Sequence, residues 1–198
     1  KDNPSSVISC VLAARENARM IRDQISSEMW EVINQIYLFL KSQDAKRVLR
    51  SGNSDFFRQI MEGSHLFRGV TDGTFPRRAG YEFIKVGCYL ERADKTARFV
   101  NSKQYLKDAM GAMAVTDQDV VQWVAILRSC AALEAYHRIY VGDVRPKPVL
   151  EFLIHSRHFP RSILFSLSEL QLALHAISGC PVSHYSNEAE RICGKLIS

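Results

Sequence analysis

Three features of the sequence together predict an all-α protein. Apolar residues recur at spacings of three and four along almost the whole chain. The runs open on Ser, Asn or Pro and tend to close on Gly, as helix starts and stops do. No segment alternates apolar and polar residues with the period of two that marks a half-buried strand. With 198 residues, 46% of them hydrophobic and 24% charged, the chain can build one sizeable core. A single bundle-like domain of about eight to ten helices over residues 1–198 is the simplest organisation.

Asn3 and Pro4 read as a cap and a first helical residue, with the helix running from Ser5 to about Arg22 or Asp23. On it Ile8, Val11, Arg15, Arg19 and Arg22 share a face, so an apolar stripe passes into a ladder of three arginines. Ser26 and Ser27, followed by Glu28, restart a helix that carries Met29, Trp30, Ile33, Ile36, Tyr37 and Leu40 to about Ser42. A short basic helix is expected over residues 45–49, closed by Gly52. Ser54 caps a third segment, residues 56–67, and the GVTDG run at 69–73 is expected to be a loop. Pro76 then opens a long central helix that ends near Asn101.

A lesser helix is expected over 105–113. Thr116 with Asp119 resembles a capping box for a helix bearing Val120, Val121, Val124, Leu127, Ala131 and Leu133 and reaching about Tyr140. After a stretch rich in breakers, Pro148 starts a helix to His155. Pro160 starts another to about Ile177, which Gly179 stops, and Ser186 caps the last.

The central helix is the one around which the rest is expected to pack. At 100° per residue Phe83, Val86, Leu90, Ala93 and Ala97 form an apolar face, and Gly87, Glu91, Asp94 and Arg98 form a stripe beside it. Tyr81, Tyr89 and Phe99 point elsewhere, so the helix reads as enclosed, and enclosed charges need partners. A faint internal echo accompanies it: NPSSVISCVL at 3–12 resembles FPRSILFSLS at 159–168. If the echo is a degenerate duplication, the chain begins in the middle of its first repeat, and Lys1 is not an initiator Met.

Bulk charge excludes little. The net +5 arises from 26 basic and 21 acidic residues mixed along the chain, which does not call for nucleic acid. Five widely spaced cysteines without a C-x-x-C pair read as small buried hydrophobes in a reducing cytoplasm. No apolar run reaches bilayer length and no signal peptide opens the chain.

Two constellations carry chemistry. Glu91, Arg92, Asp94 and Arg98 are either a solvated helix face, whose i,i+4 pairs are worth about 0.2 to 0.5 kcal/mol each, or one side of a buried polar seam. In the second reading they meet Arg15, Arg19 and Arg22, with Glu16, Asp23, Glu31 or Asp72, or an anionic ligand, neutralising the excess positive charge. Glu91 is then expected to be mostly buried and bonded to an arginine of another helix. The second constellation pairs Glu62-x-x-His65 and Glu134-x-x-His137 with single acids Glu31 and Glu91, the order of a di-metal carboxylate bundle. Two such matches arise easily by chance and Gly63 weakens the first, so no metal and no cofactor is assigned. No phosphate-binding glycine loop occurs, so any nucleotide in an ATP-driven reaction is held by another polypeptide.

Four blocks in order, NPSSVISCVLAARENARMIRDQISSEMWEVIN, GVTDGTFPR, LERADKTARFV and LEAYHRIYVGDVRPKPVLEFLIHSRHFPRS, resemble the alpha-E family, a bacterial helical domain of unknown function named for its Glu-Arg motif. The resemblance implies an earlier Glu-Arg helix upstream, and hence a chain corresponding to the C-terminal two thirds of the family's length. His137 stands where members often have Arg, a further mark against a metal. The resemblance also implies partnership with ATP-grasp ligase-like proteins and transglutaminase-like peptidases in systems that make or modify peptides, and it implies no catalytic residue. The expectation is an accessory or binding component. The alternative is an enzyme that acts on a small anionic or peptidic substrate through Glu91, Asp94 and the arginines.

Overall fold

A computed structural model describes residues 3–42, 54–102 and 117–198, the side chains of 117–119 excepted. The expected helices at 45–49 and 105–113, and the Thr116–Asp119 box, lie outside the described residues. Among those described, nine α-helices form and no strand does. They are α1 (Val7–Met20), α2 (Ser27–Lys41), α3 (Asp55–Thr74), α4 (Ala79–Asn101), α5 (Asp117–Ser129), α6 (Leu133–His137), α7 (Pro146–His155), α8 (Ile163–Ser178) and α9 (Glu188–Ile197). No described helix is long and apolar enough to cross a membrane. The chain divides into two compact units, Lys1–Pro76 and Arg77–Ser198.

In the first unit α2 packs on both α1 and α3. Ser6 and Ser26 cap α1 and α2, each accepting the N–H of the residue three positions on. The approach of α2 to α3 is close because Gly63 faces Ile36, where a Cβ would come within 2.6 Å of the Ile36 Cγ1. The GVTDG run, expected as a loop, is instead the last turn and a half of α3. Thr71 is buried and its hydroxyl donates to the Phe67 carbonyl at 2.8 Å, so the packed face continues through the run. Its two glycines, about 1 kcal/mol each below alanine as helix formers, do not outweigh that packing. The helix stops at Phe75, held extended at ψ 130 before Pro76. The central helix accordingly starts at Ala79 rather than at the proline.

The second unit is assembled on the α4–α8 pair. Lys85 opposite Glu169, Tyr89 opposite Phe165 and Thr96 opposite Arg161 make the pair antiparallel. α4 also touches α5 and α7, while α8 packs against α7 and α9. The packed stripe of α4 is the partly buried Val86 and Tyr89 with the buried Ala93, Thr96 and Val100. This shares Val86 and Ala93 with the face read from periodicity but leaves Phe83 and Leu90 exposed, at 61% and 55%. Small Ala93 and Thr96 admit α8, and the Thr96 hydroxyl can be buried because it donates to the Arg161 carbonyl at 2.8 Å. A count of apolar residues sees neither effect.

A second cluster joins α5, α6 and α7 through Leu127, Val149, Leu153, Phe152 and Tyr136. The Tyr140, Tyr136 and Phe152 rings run on to Phe159, with centroids 4.8 to 5.9 Å apart. The helix expected to run to Tyr140 breaks at Ala131, which takes φ 48. Its own N–H bonds the Arg128 carbonyl and the N–H of Ala132 bonds that of Leu127, a left-handed cap built without glycine. Beyond the break, α7 begins at Pro146, one turn-forming proline earlier than expected.

Candidate functional site

The Glu-Arg segment lies on α4 with its charges outward. The Glu91 side chain is 63% exposed and pairs with Lys95 at 3.0 Å; Asp94 pairs with Arg98 at 2.7 Å. Both are i,i+4 pairs on one helix face. The Arg98 bond holds the Asp94 carboxyl below its usual range, and the same bond raises Arg98. The expectation of a buried Glu91 bonded to an arginine of another helix is therefore corrected. The reason is the rotation of α4: its packed stripe passes through Tyr89, Ala93 and Thr96, which turns Glu91 away from α8.

Arg92 points the other way. Its Nη1 lies 3.5 Å from the Pro160 carbonyl and its guanidinium sits 5.4 Å from the centre of the Tyr89 ring. With Thr96 it engages consecutive carbonyls, those of Pro160 and Arg161, in the turn that leads into α8. The arginine of the dipeptide thus faces the fold while its glutamate faces solvent.

The arginine ladder of the first unit is engaged on α1 and α2. Arg15 Nε donates to Asn34 Oδ1 at 2.9 Å, and its guanidinium lies 4.2 Å from the Tyr37 ring centre and 5.4 Å from that of Trp30. Arg22 stands 5.7 Å from the Trp30 ring centre, and Lys41 stands 5.7 Å from that of Tyr37. The result is a row of cations interleaved with two aromatics. Arg19 bonds Glu16, which lowers the Glu16 carboxyl and raises the guanidinium. Asp23 accepts from Gln24, and Glu31 and Asp72 are exposed. Each ladder arginine thus has partners inside its own unit.

The E-x-x-H residues do not line a bundle core: Glu62, His65, Glu134 and His137 are all exposed, as are Glu31 and Glu91. A cleft of about 450 Å³ opens between α2 and α3, where Gln35, Gln59 and Glu62 rim an apolar floor that includes Ile36 and Phe39.

One buried polar cluster escaped the sequence reading. Glu190, on the first turn of α9, is fully buried. Its carboxylate accepts the Ser186 N–H at 2.7 Å, the Ser186 hydroxyl at 3.0 Å and the Asn187 side-chain amide at 2.9 Å. Asn187, one residue past the expected Ser186, is the cap, and its Oδ1 accepts the Glu190 N–H at 3.0 Å. The Ser178 hydroxyl, which also lies 3.3 Å from the His175 carbonyl, and then the Ser186 amide and hydroxyl hold the Glu190 carboxyl down at about 2 against the opposing effect of burial. His175, buried near the end of α8, places Nδ1 3.8 Å from Glu190 and 3.1 Å from the Cys180 carbonyl. The pattern Asn187-x-x-Glu190 was a legible capping box; nothing in the sequence said that it closes over a histidine.

The family model for Alpha-E, described as a predicted alpha-helical domain with a conserved ER motif, matches residues 1–198. The chain belongs to the Alpha-E family. Uncharacterized proteins of Mycobacterium bovis (strain ATCC BAA-935 / AF2122/97) and Mycobacterium tuberculosis (strain CDC 1551 / Oshkosh) are each 22% identical to it over 204 residues. The alignment covers 98% of this chain and 22% of each relative, so the chain spans about a fifth of their length. No solved structure matches it. In this Alpha-E chain the dipeptide of the family description occurs twice, as Glu91-Arg92 and Glu190-Arg191. The two divide their roles in opposite ways: Glu91 is exposed while Arg92 reaches the fold, and Glu190 is buried while Arg191 turns outward to pair with Glu188.

Proposed function

We propose that this Alpha-E chain is an accessory, binding component of a bacterial ATP-grasp-linked system that makes or modifies peptides. The observation that supports this reading is the outward stripe of α4, where Glu91, Lys95 and Arg98 stand exposed and Asp94 half-buried, all in helix-local pairs. Exposed pairs of this kind contribute between nothing and about 1 kcal/mol to stability, so their placement suits recognition of a partner more than support of the fold. The partner is a protein of ATP-grasp type, which would hold the nucleotide for which this chain has no phosphate loop. A transglutaminase-like peptidase is a second partner of the same system, and its peptide product or a small anion is a candidate ligand. The competing enzyme reading requires Glu91 in a cleft among arginines without partners, and the engagement of Arg15, Arg19 and Arg22 lends it no support.

Co-purification of the tagged chain with an ATP-grasp protein from the same genome tests the proposal. Glu91→Gln is expected to keep its melting temperature, within about 0.5 kcal/mol of stability. Reversing Glu91 and Asp94 together to Lys is expected to abolish capture. Absence of capture by the unaltered chain, or equal capture by the reversed one, would refute the reading.

A further inference from the structure

We propose that His175, Cys180 and Glu190, at the junction of α8 and α9, form a binding site for a divalent cation of zinc type. One ring nitrogen of His175, the Cys180 Sγ and a Glu190 carboxylate oxygen lie within 4.8 Å of one another, and theirs is the metal-capable set found among the described residues. Tetrahedral zinc with nitrogen, oxygen and sulfur ligands at its usual bond lengths holds such atoms about 3.3 to 3.6 Å apart. Closing the set therefore takes a shift of roughly 1 Å. Cys180 can supply it: the residue is half-buried on the loop after α8, and its thiol donates to the His184 carbonyl, 3.4 Å away. Gly179 starts that loop at φ 74, where a left-handed cap turns the chain back toward His175.

A second, independent observation points to a ligand. His175 is 4% exposed, yet its Nε2 has no hydrogen-bond partner among the described residues. Its Nδ1 lies 3.1 Å from the Cys180 carbonyl, which can only accept, so in the neutral ring Nδ1 carries the proton and Nε2 offers the lone pair that would bind the metal. A ring with one nitrogen fixed by a backbone carbonyl and the other unmet is the state in which histidines ligate metals. Buried atoms left unsatisfied in this way call for an ion or a water.

Charge and donor type favour the ion. Ser186 and Asn187 donate to the Glu190 carboxylate and fix its orientation as an outer shell would. On binding, the Cys180 thiol releases its proton to solvent and its sulfur bonds the metal. One carboxylate, one thiolate and a neutral imidazole then balance a dication, with water in the fourth position. Mixed sulfur, nitrogen and oxygen donors select zinc over magnesium or calcium.

The test is titration of the full chain, kept reduced, with Co²⁺ alone as a spectroscopic probe, followed by displacement with Zn²⁺. One equivalent is expected to bind with a thiolate-to-cobalt charge-transfer band. Cys180→Ser is expected to remove that band and weaken binding roughly tenfold or more, since even outer-shell changes cost that much. Cys10→Ser, at an exposed position on α1, is expected to leave both unchanged. The melting temperature of Cys180→Ser without metal, expected to equal that of the unaltered chain, separates loss of a ligand from loss of fold. No stoichiometric uptake would overturn the proposal and leave water as the partner of Nε2. Equal uptake by Cys180→Ser would overturn it too.

Discussion

Ser6, at the start of α1, and Ser162, at the start of α8, each follow a proline by two residues and share one local structure. Their φ values are both −69, with ψ 148 and 153. Each hydroxyl accepts the N–H three residues on at 3.1 Å. Each turn is closed by an N–H bond to the carbonyl three residues back, at 3.1 and 2.9 Å. The surroundings differ. Ser6 is half-buried and its hydroxyl donates to the neighbouring Ser9. Ser162 is fully buried, its hydroxyl donates to the Ser156 carbonyl, and α4 holds the turn before it through Arg92 and Thr96. Two copies of one local signal thus differ in weight because only the second is shown clasped by a neighbouring helix.

Substitutions at the two starts sharpen that contrast. Ser162→Ala removes a cap and leaves the Ser156 carbonyl without its buried donor, for an expected loss of about 2 to 4 kcal/mol in chemical denaturation. A loss below that of Ser6→Ala would break the comparison. Thr96→Val keeps shape and removes the hydroxyl's bond to the Arg161 carbonyl together with its bond to the Cys130 thiol, so a loss of about 1 to 2 kcal/mol is expected, with amide exchange quickening at the start of α8 and not at that of α1. Ser6→Ala should cost about 1 kcal/mol, the value of a cap alone.

The resemblance between the two starts was legible as NPSSVISCVL and FPRSILFSLS, because a capped start is written in three or four adjacent residues. The Ser26 cap, the stop at Gly179 and the end of α4 at Asn101 were legible for the same reason. Other signals of equal strength misled. The glycines of GVTDG sit inside α3, where the buried Thr71 keeps the helix going. Ala131, a good helix former, breaks the run toward Tyr140 in a left-handed conformation.

The site residues divide along the same line. Periodicity on α4 placed Glu91 on a stripe beside the core but could not say whether that stripe was covered, because Val86 and Ala93 fit the expected and the observed faces alike. The cluster at Glu190 depends on residues from α8, its following loop and α9 meeting across a turn, and each of them reads alone as an ordinary cap, core or surface residue.

The sequence by itself determined the helical class, most helix starts and stops, and the kinship of the Ser6 and Ser162 turns, since these rest on contacts between residues a few positions apart. Only the tertiary structure decided which face of α4 is buried, that Arg92 grips the α8 turn while Glu91 stands in solvent, and that His175, Cys180 and Glu190 converge. Those outcomes depend on how closely one helix approaches another, which small residues such as Ala93 and Thr96 permit and which a buried hydroxyl repays only when the matching carbonyl has been brought opposite it.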